Sequence, residues 1–258
     1  MIRLRTDFFA ESLGMSTSMV VLLPQHADGQ IGMEDTAPET VPVLYLLHGL
    51  SDDCTIWERR TSIERYAAER GVAVVMPEVR RSFYADEVQG EKYWTFVSEE
   101  LPQLIARTFR VSTEPADTFV AGLSMGGFGA MKLALHHPER YAAAASLSGA
   151  LDLPELDIPD ASGVLAQRVW GGRALREGPE DLLHLLRRAE PGSLPDLFVS
   201  CGTEDFLIEE NRRFLSVAEE SGHAVTQRLV PGEHSWALWD AEIQQVLAWL
   251  PLRNQNRG

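Results

Sequence analysis

The chain has 258 residues, 45% of them hydrophobic and 24% charged, a length and balance that suit one medium α/β domain with a sizeable core. A formal net charge of −15 opposes nucleic acid and anionic membrane faces as partners. No stretch approaches the roughly 18 continuous apolar residues that a membrane helix requires. The two cysteines, Cys54 and Cys201, form no C-x-x-C pair, and no His/Cys cluster has zinc-ligand spacing. Two reduced thiols, no metal and no cofactor are expected. The N-terminus shows no apolar core followed by a small-residue cleavage site, so a cytoplasmic location is expected.

In chain order, residues 2–9 and 16–23 alternate as two antiparallel strands joined by a turn at "ESLG". The polar segment 24–40, with glycine and proline, reads as an exposed hairpin loop. "VPVLYLLHG" then forms a nearly continuous apolar run, the mark of a strand covered on both faces. From there strands and helices alternate. A helix near 55–70 leads to a strand in 71–79, and a helix near 93–109 to the strand 118–123. A helix over about 126–137 leads to a strand in 141–149. After a long interval come the strand 196–202, a helix near 207–221, the strand 224–232 and a final helix near 236–250. This rhythm predicts a mostly parallel central sheet with antiparallel N-terminal strands and helices on both faces. Residues 151–190 are too long for an ordinary connection and are expected to form a small lid or pocket wall. Within them, Pro179 and Asp181 mark a helix start and Gly192 lies near its end.

"GLSMG" (122–126) fits G-x-S-x-G, with a strand before it and helical spacing after it. A serine on so tight a strand-to-helix turn projects its hydroxyl above the sheet. The following helix N-terminus offers N–H groups to a developing negative charge. A serine hydroxyl needs a base, and the base needs a group to orient it. "SCGTEDFLI" supplies Glu204 and Asp205 beyond one buried strand, and "LVPGEHSWALW" supplies Glu233 and His234 beyond the next. The order Ser124, Asp205, His234 therefore assembles at the carboxyl ends of strands. Asp205 leads Glu204 because it lies one residue further into the loop; Asp152 and Asp157 are weaker candidates. Among the other histidines, His26 and His223 sit in polar, solvated settings, and His184 is placed on the surface of the insertion helix. His136 and His137 end a helix, where a cationic ring suits the dipole. His48 lies near the site but in the wrong chain order for the base. An oxyanion hole is expected from the N–H groups of Met125 and Leu50.

Together, "VPVLYLLHGL", "YWTFVSEELPQLI", "FVAGLSMGGFGAMKLAL", "CGTEDFL" and "GEHSWALW" resemble the esterase D family of α/β-hydrolases, and within it the tributyrin esterase branch. The resemblance spans nearly the whole chain. It implies a single α/β-hydrolase domain over 1–258, with Ser124 as nucleophile, Asp205 as acid, His234 as base, and Leu50 and Met125 as backbone donors. It also implies self-association into a homo-oligomer, which apolar residues exposed on the terminal helix would permit.

The function so implied is a serine carboxylesterase that hydrolyses small-molecule acyl esters, acetyl to butyryl, through an acyl-enzyme. The formylglutathione branch usually carries a histidine after the second glycine of "SMGG", where this chain has Phe128. A thioesterase of that branch, a carbohydrate acetyl or feruloyl esterase, an acyltransferase, an amidase or peptidase, and a non-catalytic binding module are the alternatives. Tyr84 and Trp94 are candidates for one pocket wall, Trp170 for the insertion side and Trp236 for a cover over the base. Tyr84 and Trp94 suit core packing equally, and Trp236 equally suits the apolar face of the last helix.

Overall fold

The computed structural model describes residues 1–25, 40–156 and 163–253. The loop expected at 24–40 lies almost wholly outside them, as do His26 and Asp157. Among the described residues, eight strands form one sheet: β1 (Ile2–Ala10), β2 (Met15–Leu23), β3 (Val43–Leu47), β4 (Ala73–Pro77), β5 (Thr118–Leu123), β6 (Ala143–Leu147), β7 (Asp196–Gly202) and β8 (Val225–Val230). Their spatial order is β1-β2-β4-β3-β5-β6-β7-β8. β1 and β2 are antiparallel to each other, and β2 to β4; every other pairing is parallel. The hairpin between β1 and β2 closes at Gly14, whose φ of 62° costs a glycine nothing.

The helices are α1 (Ile56–Arg60), α2 (Ile63–Arg70), α3 (Tyr93–Thr95), α4 (Leu101–Thr108), α5 (Met125–His136), α6 (Val164–Trp170), α7 (Leu182–Arg188), α8 (Ile208–Glu220) and α9 (Trp236–Trp249). Strand alternation decides which helices each face receives. In β3, Val43, Tyr45 and Leu47 join the core built with α4, α5, α7 and α8. Leu44 and Leu46 join the opposite core, built with α1, α2 and α9. With both faces buried, β3 is apolar throughout, and the apolar run in its sequence has this cause.

Several expectations need correction. The helix expected at 55–70 is two short helices that break at Thr61 and Ser62. The helix expected at 93–109 contains a π-helical segment, Phe96–Glu100, between α3 and α4. α6 was not anticipated. α7 begins where expected, with the Asp181 carboxylate accepting from His184 N–H at 3.0 Å, and it ends at Arg188, a few residues before Gly192. Leu182, Leu183 and Leu186 bury α7 in the core beside α5 and α8, so this half of the insertion is a packed layer. His184 on α7 is only half-buried.

The histidines differ most. His223 is buried, its Nε2 3.0 Å from the Leu186 carbonyl. The rings of His136 and His137 pack on Trp94, and burial lowers the pKa of both, which disfavours the cationic form expected at this helix end. α9 turns Leu238, Trp239, Ile243, Val246 and Leu247 inward. Among the described residues, the exposed large hydrophobics (Ile2, Phe9, Val88, Val164 and Phe206) all lie elsewhere.

Candidate active site

β5 delivers the chain into the turn at Ser124, which has φ 53° and ψ −118°. A non-glycine residue held there costs on the order of 1–3 kcal/mol, so the surroundings must fix it. The Ser124 N–H donates to the Leu147 carbonyl at 2.9 Å, and its own carbonyl accepts from Phe128 N–H at 3.1 Å and Ala150 N–H at 3.2 Å. The glycines give the room. A Cβ on Gly122 would lie 2.3 Å from the Gly126 carbonyl oxygen, and one on Gly126 would lie 2.5 Å from that of Leu47.

Above this turn, Ser124 Oγ lies 3.1 Å from His234 Nε2. His234 Nδ1 lies 3.0 and 2.9 Å from the two carboxylate oxygens of Asp205. Asp205 follows β7, is buried, and also accepts the Leu207 N–H at 2.9 Å. Burial pushes the Asp205 carboxyl up, but the His234 ring and the Leu207 N–H outweigh it and hold the group below the usual carboxylate range. An ionised Asp205 keeps the His234 proton on Nδ1 and leaves Nε2 free to accept the Ser124 hydroxyl proton.

The competing carboxylates are occupied elsewhere. Glu204 accepts the Gly232 N–H at 2.5 Å and the Thr203 hydroxyl at 2.7 Å, and Glu233 is exposed. Asp152 pairs with Arg213 at 2.6 Å. His48 is buried under the loop after β3. In that loop, a Cβ on Gly49 would stand 3.7 Å from Ser124 Cβ, and Leu50 follows directly. Met125 opens α5, where the first N–H groups have no intrahelical acceptor.

The aromatic candidates are taken up by packing, the second of the two roles that the sequence left open for Tyr84, Trp94 and Trp236. Tyr84 is fully buried beneath the site. Trp94 stacks on His137 and meets His136 edge-on, and the Lys132 ammonium sits 4.4 Å from its ring centroid. Trp170 is buried with its ring 5.2 Å from Phe83. Trp236 meets Trp57 and Trp239 edge-on, both at 5.2 Å. None of these four rings is in contact with His234. The rings that are had been missed: Phe206, 66% exposed, at 4.5 Å, and Trp239 at 4.8 Å and 88°. The Trp239 indole N–H donates to Ser148 Oγ at 3.1 Å, which fixes that ring. The signal for Phe206 is its place beside Asp205. Trp239 differs from Trp236 only by one helical turn, a choice that the helix phase makes.

A cavity of about 450 Å³ opens at the amino ends of β3 and β5, lined by Val43, Tyr45, Thr118, Arg140 and Tyr141 among others. It lies at the opposite end of the strands from Ser124. Among the described residues, no three His, Cys, Asp or Glu side chains stand together as a metal site, and no helix is long and apolar enough to cross a membrane. Cys54 and Cys201 are buried and unbridged.

Sheet order, turn and site residues define an α/β-hydrolase. Residues 10–250 match the Esterase family ("Putative esterase"), and the chain belongs to it. It is 29% identical to the acetyl esterase of Caldicellulosiruptor saccharolyticus, over 96% of this chain and 97% of that one. Among solved structures, fluorophosphonate-binding serine hydrolase F (FphF) of Staphylococcus aureus superposes with a TM-score of 0.87 and 32% identity, over 98% and 99% of the two chains. The S-formylglutathione hydrolase FrmB of the same organism gives 0.84 and 32%, over 96% and 98%. The chain is thus a serine hydrolase of the esterase class.

Proposed function

We propose that the protein is a carboxylesterase that cleaves short acyl esters, acetyl to butyryl, with Ser124 as nucleophile, His234 as base and Asp205 as orienting acid. The observation that carries this reading is the unbroken line from Ser124 Oγ through His234 to the buried Asp205 carboxylate, with contacts of 3.1 and 2.9 Å. In the first step Ser124 Oγ bonds to the ester carbonyl carbon while its proton moves to His234 Nε2. The Leu50 and Met125 N–H groups stabilise the oxyanion. The carbon–oxygen bond to the alcohol then breaks, and His234 returns the proton to the leaving oxygen. Water repeats the sequence on the acyl-enzyme and frees Ser124.

A short acyl group is supported by the likeness to an acetyl esterase along nearly the whole chain. The thioesterase reading has its own support in the likeness to FrmB. Against it stands Phe128, which is fully buried against Phe83 at 6.3 Å in place of a polar side chain. Residues 163–190 would serve as a pocket wall: the carbonyls of Arg168 and Val169 accept from Gln89 and Val88 N–H, both at 3.0 Å, which binds α6 to the loop after β4.

The test is turnover of p-nitrophenyl acetate, butyrate and octanoate beside S-formylglutathione. Acetate and butyrate are expected to lead octanoate by at least about tenfold in kcat/KM, with the thioester slower. A thioester faster than every ester would replace the carboxylesterase reading with the thioesterase one.

A further inference from the structure

We infer that His48 and Tyr84 are positioning residues for the oxyanion hole: together they aim the N–H of Leu50 at the reacting carbonyl. This rests on the triad reading above and adds residues that reading does not use.

A peptide unit is planar, with its C=O and N–H on opposite sides, so fixing one directs the other. The carbonyl of the Gly49–Leu50 peptide is held twice, by His48 Nδ1 at 2.8 Å and by the Asp52 N–H at 3.2 Å. Its N–H, that of Leu50, must then point the opposite way. The His48 ring is fixed in turn. Its Nε2 accepts the Val79 N–H at 3.1 Å, so the ring proton lies on Nδ1, where the Gly49 carbonyl requires a donor. Both bonds are buried, with His48 1% exposed.

Tyr84 secures the preceding peptide. Its hydroxyl donates to the His48 carbonyl at 2.9 Å, and burial pushes the phenol well above its usual pKa, so it stays a donor. The Tyr84 backbone is itself constrained. Arg80, Phe83 and Tyr84 all have positive φ, near 50°, in one short stretch. Such conformations persist only where the surroundings over-determine them. Here the Tyr84 N–H donates to Ser82 Oγ at 3.1 Å, and its carbonyl accepts from the buried Lys132 ammonium at 3.0 Å. Lys132 is paired with Glu180 at 2.7 Å. The Tyr84 ring occupies the space where Gly129 has no side chain; a Cβ there would come within 2.5 Å of it. On the far side, the Trp57 indole N–H donates to the Leu47 carbonyl at 3.1 Å. The β3 exit is therefore held at Leu47, His48 and Gly49 in succession. Leu50, whose N–H the reaction needs, is left to face the site.

The experiment compares His48→Ala, His48→Asn and Tyr84→Phe, with Ser124→Ala as control. It measures kcat and KM on the butyrate ester and the affinity for a trifluoromethyl ketone that forms a hemiketal oxyanion. His48→Ala is expected to lower kcat roughly 10²-fold, the size of losing one oxyanion donor, with KM changed by no more than about twofold. Ketone affinity should fall by the same factor. His48→Asn, whose Nδ2 can replace Nδ1 as donor, should recover most of the loss. Tyr84→Phe, which removes one oxygen and leaves the ring in place, should lower kcat and ketone affinity together by about tenfold. The inference is overturned if KM alone moves, if ketone affinity is unchanged, or if asparagine does no better than alanine. Should the His48 variants fail to fold, Tyr84→Phe decides alone. An inactive Ser124→Ala beside unaffected His48 and Tyr84 variants defeats only the positioning roles. An active Ser124→Ala defeats the triad reading and the inference with it.

Discussion

Ser124→Ala is expected to lower ester turnover by up to about 10⁶-fold while leaving the fold intact. The size follows from serine hydrolases generally, in which removing the nucleophile costs about as much as removing all three partners. The fold should survive because the main-chain bonds of Ser124, to Leu147, Phe128 and Ala150, do not involve its side chain. Ser124→Gly sharpens the point. At φ 53° alanine keeps the steric cost that serine has, whereas glycine removes it. Glycine should therefore match or exceed alanine in its urea midpoint, and both should be equally inactive. Activity and stability would then move independently at one residue, as expected where strain is kept for chemistry. Measured kcat and denaturation midpoints for the two variants check this. Retained turnover in both would remove Ser124 from the reaction.

Asp205→Asn should cost about 10⁴-fold in kcat, chiefly because asparagine can stabilise the wrong His234 tautomer. In the native site both Asp205 oxygens accept from Nδ1, and the carboxylate has no donor to offer. Asparagine brings an NH₂ group that can face Nδ1, driving the imidazole proton to Nε2, where it can no longer accept from Ser124. Stability should respond to pH as well. The folded-state pKa of Asp205 is depressed, so its carboxylate stabilises the fold above the ordinary carboxylate value of about 3.9. That contribution is lost as pH falls through the lower folded-state value. The urea midpoint of the asparagine variant should therefore decline less on acidification below about pH 4 than that of the native protein. Equal declines would show that the Asp205 carboxylate is not coupled to folding.

Where the sequence was legible, local pattern and local chemistry coincided. β3, β5 and β7 are apolar because both of their faces are covered, and the turn at Ser124 needs glycine at positions that any close-packed strand-to-helix junction would need. Asp205 and His234 follow strands at the same sheet edge, so parallel topology alone brings them near Ser124. What stayed hidden depends on partners distant in the chain. His223 lies between a glycine and an alanine in polar sequence, yet the Leu186 carbonyl and the core claim its ring. Tyr84 reads as a pocket residue because it follows a strand end; its hydroxyl is instead taken by a carbonyl 36 residues earlier. Trp236 and Trp239 are both apolar residues at the start of α9. Only the phase of that helix turns Trp239 and not Trp236 toward His234. The π-helical segment before α4 is equally silent, since one extra residue in a turn barely alters apolar spacing.

The most direct measurement of the central claim is covalent. The protein is reacted with a fluorophosphonate probe, and intact-mass and peptide-mass spectra locate the adduct while residual esterase activity is followed. If Ser124 is the nucleophile, one phosphonyl group should appear on the peptide that holds Ser124. Activity should fall in step with labelling, and Ser124→Ala should take up none. Labelling at another residue, or full turnover after Ser124 is completely labelled, would contradict it.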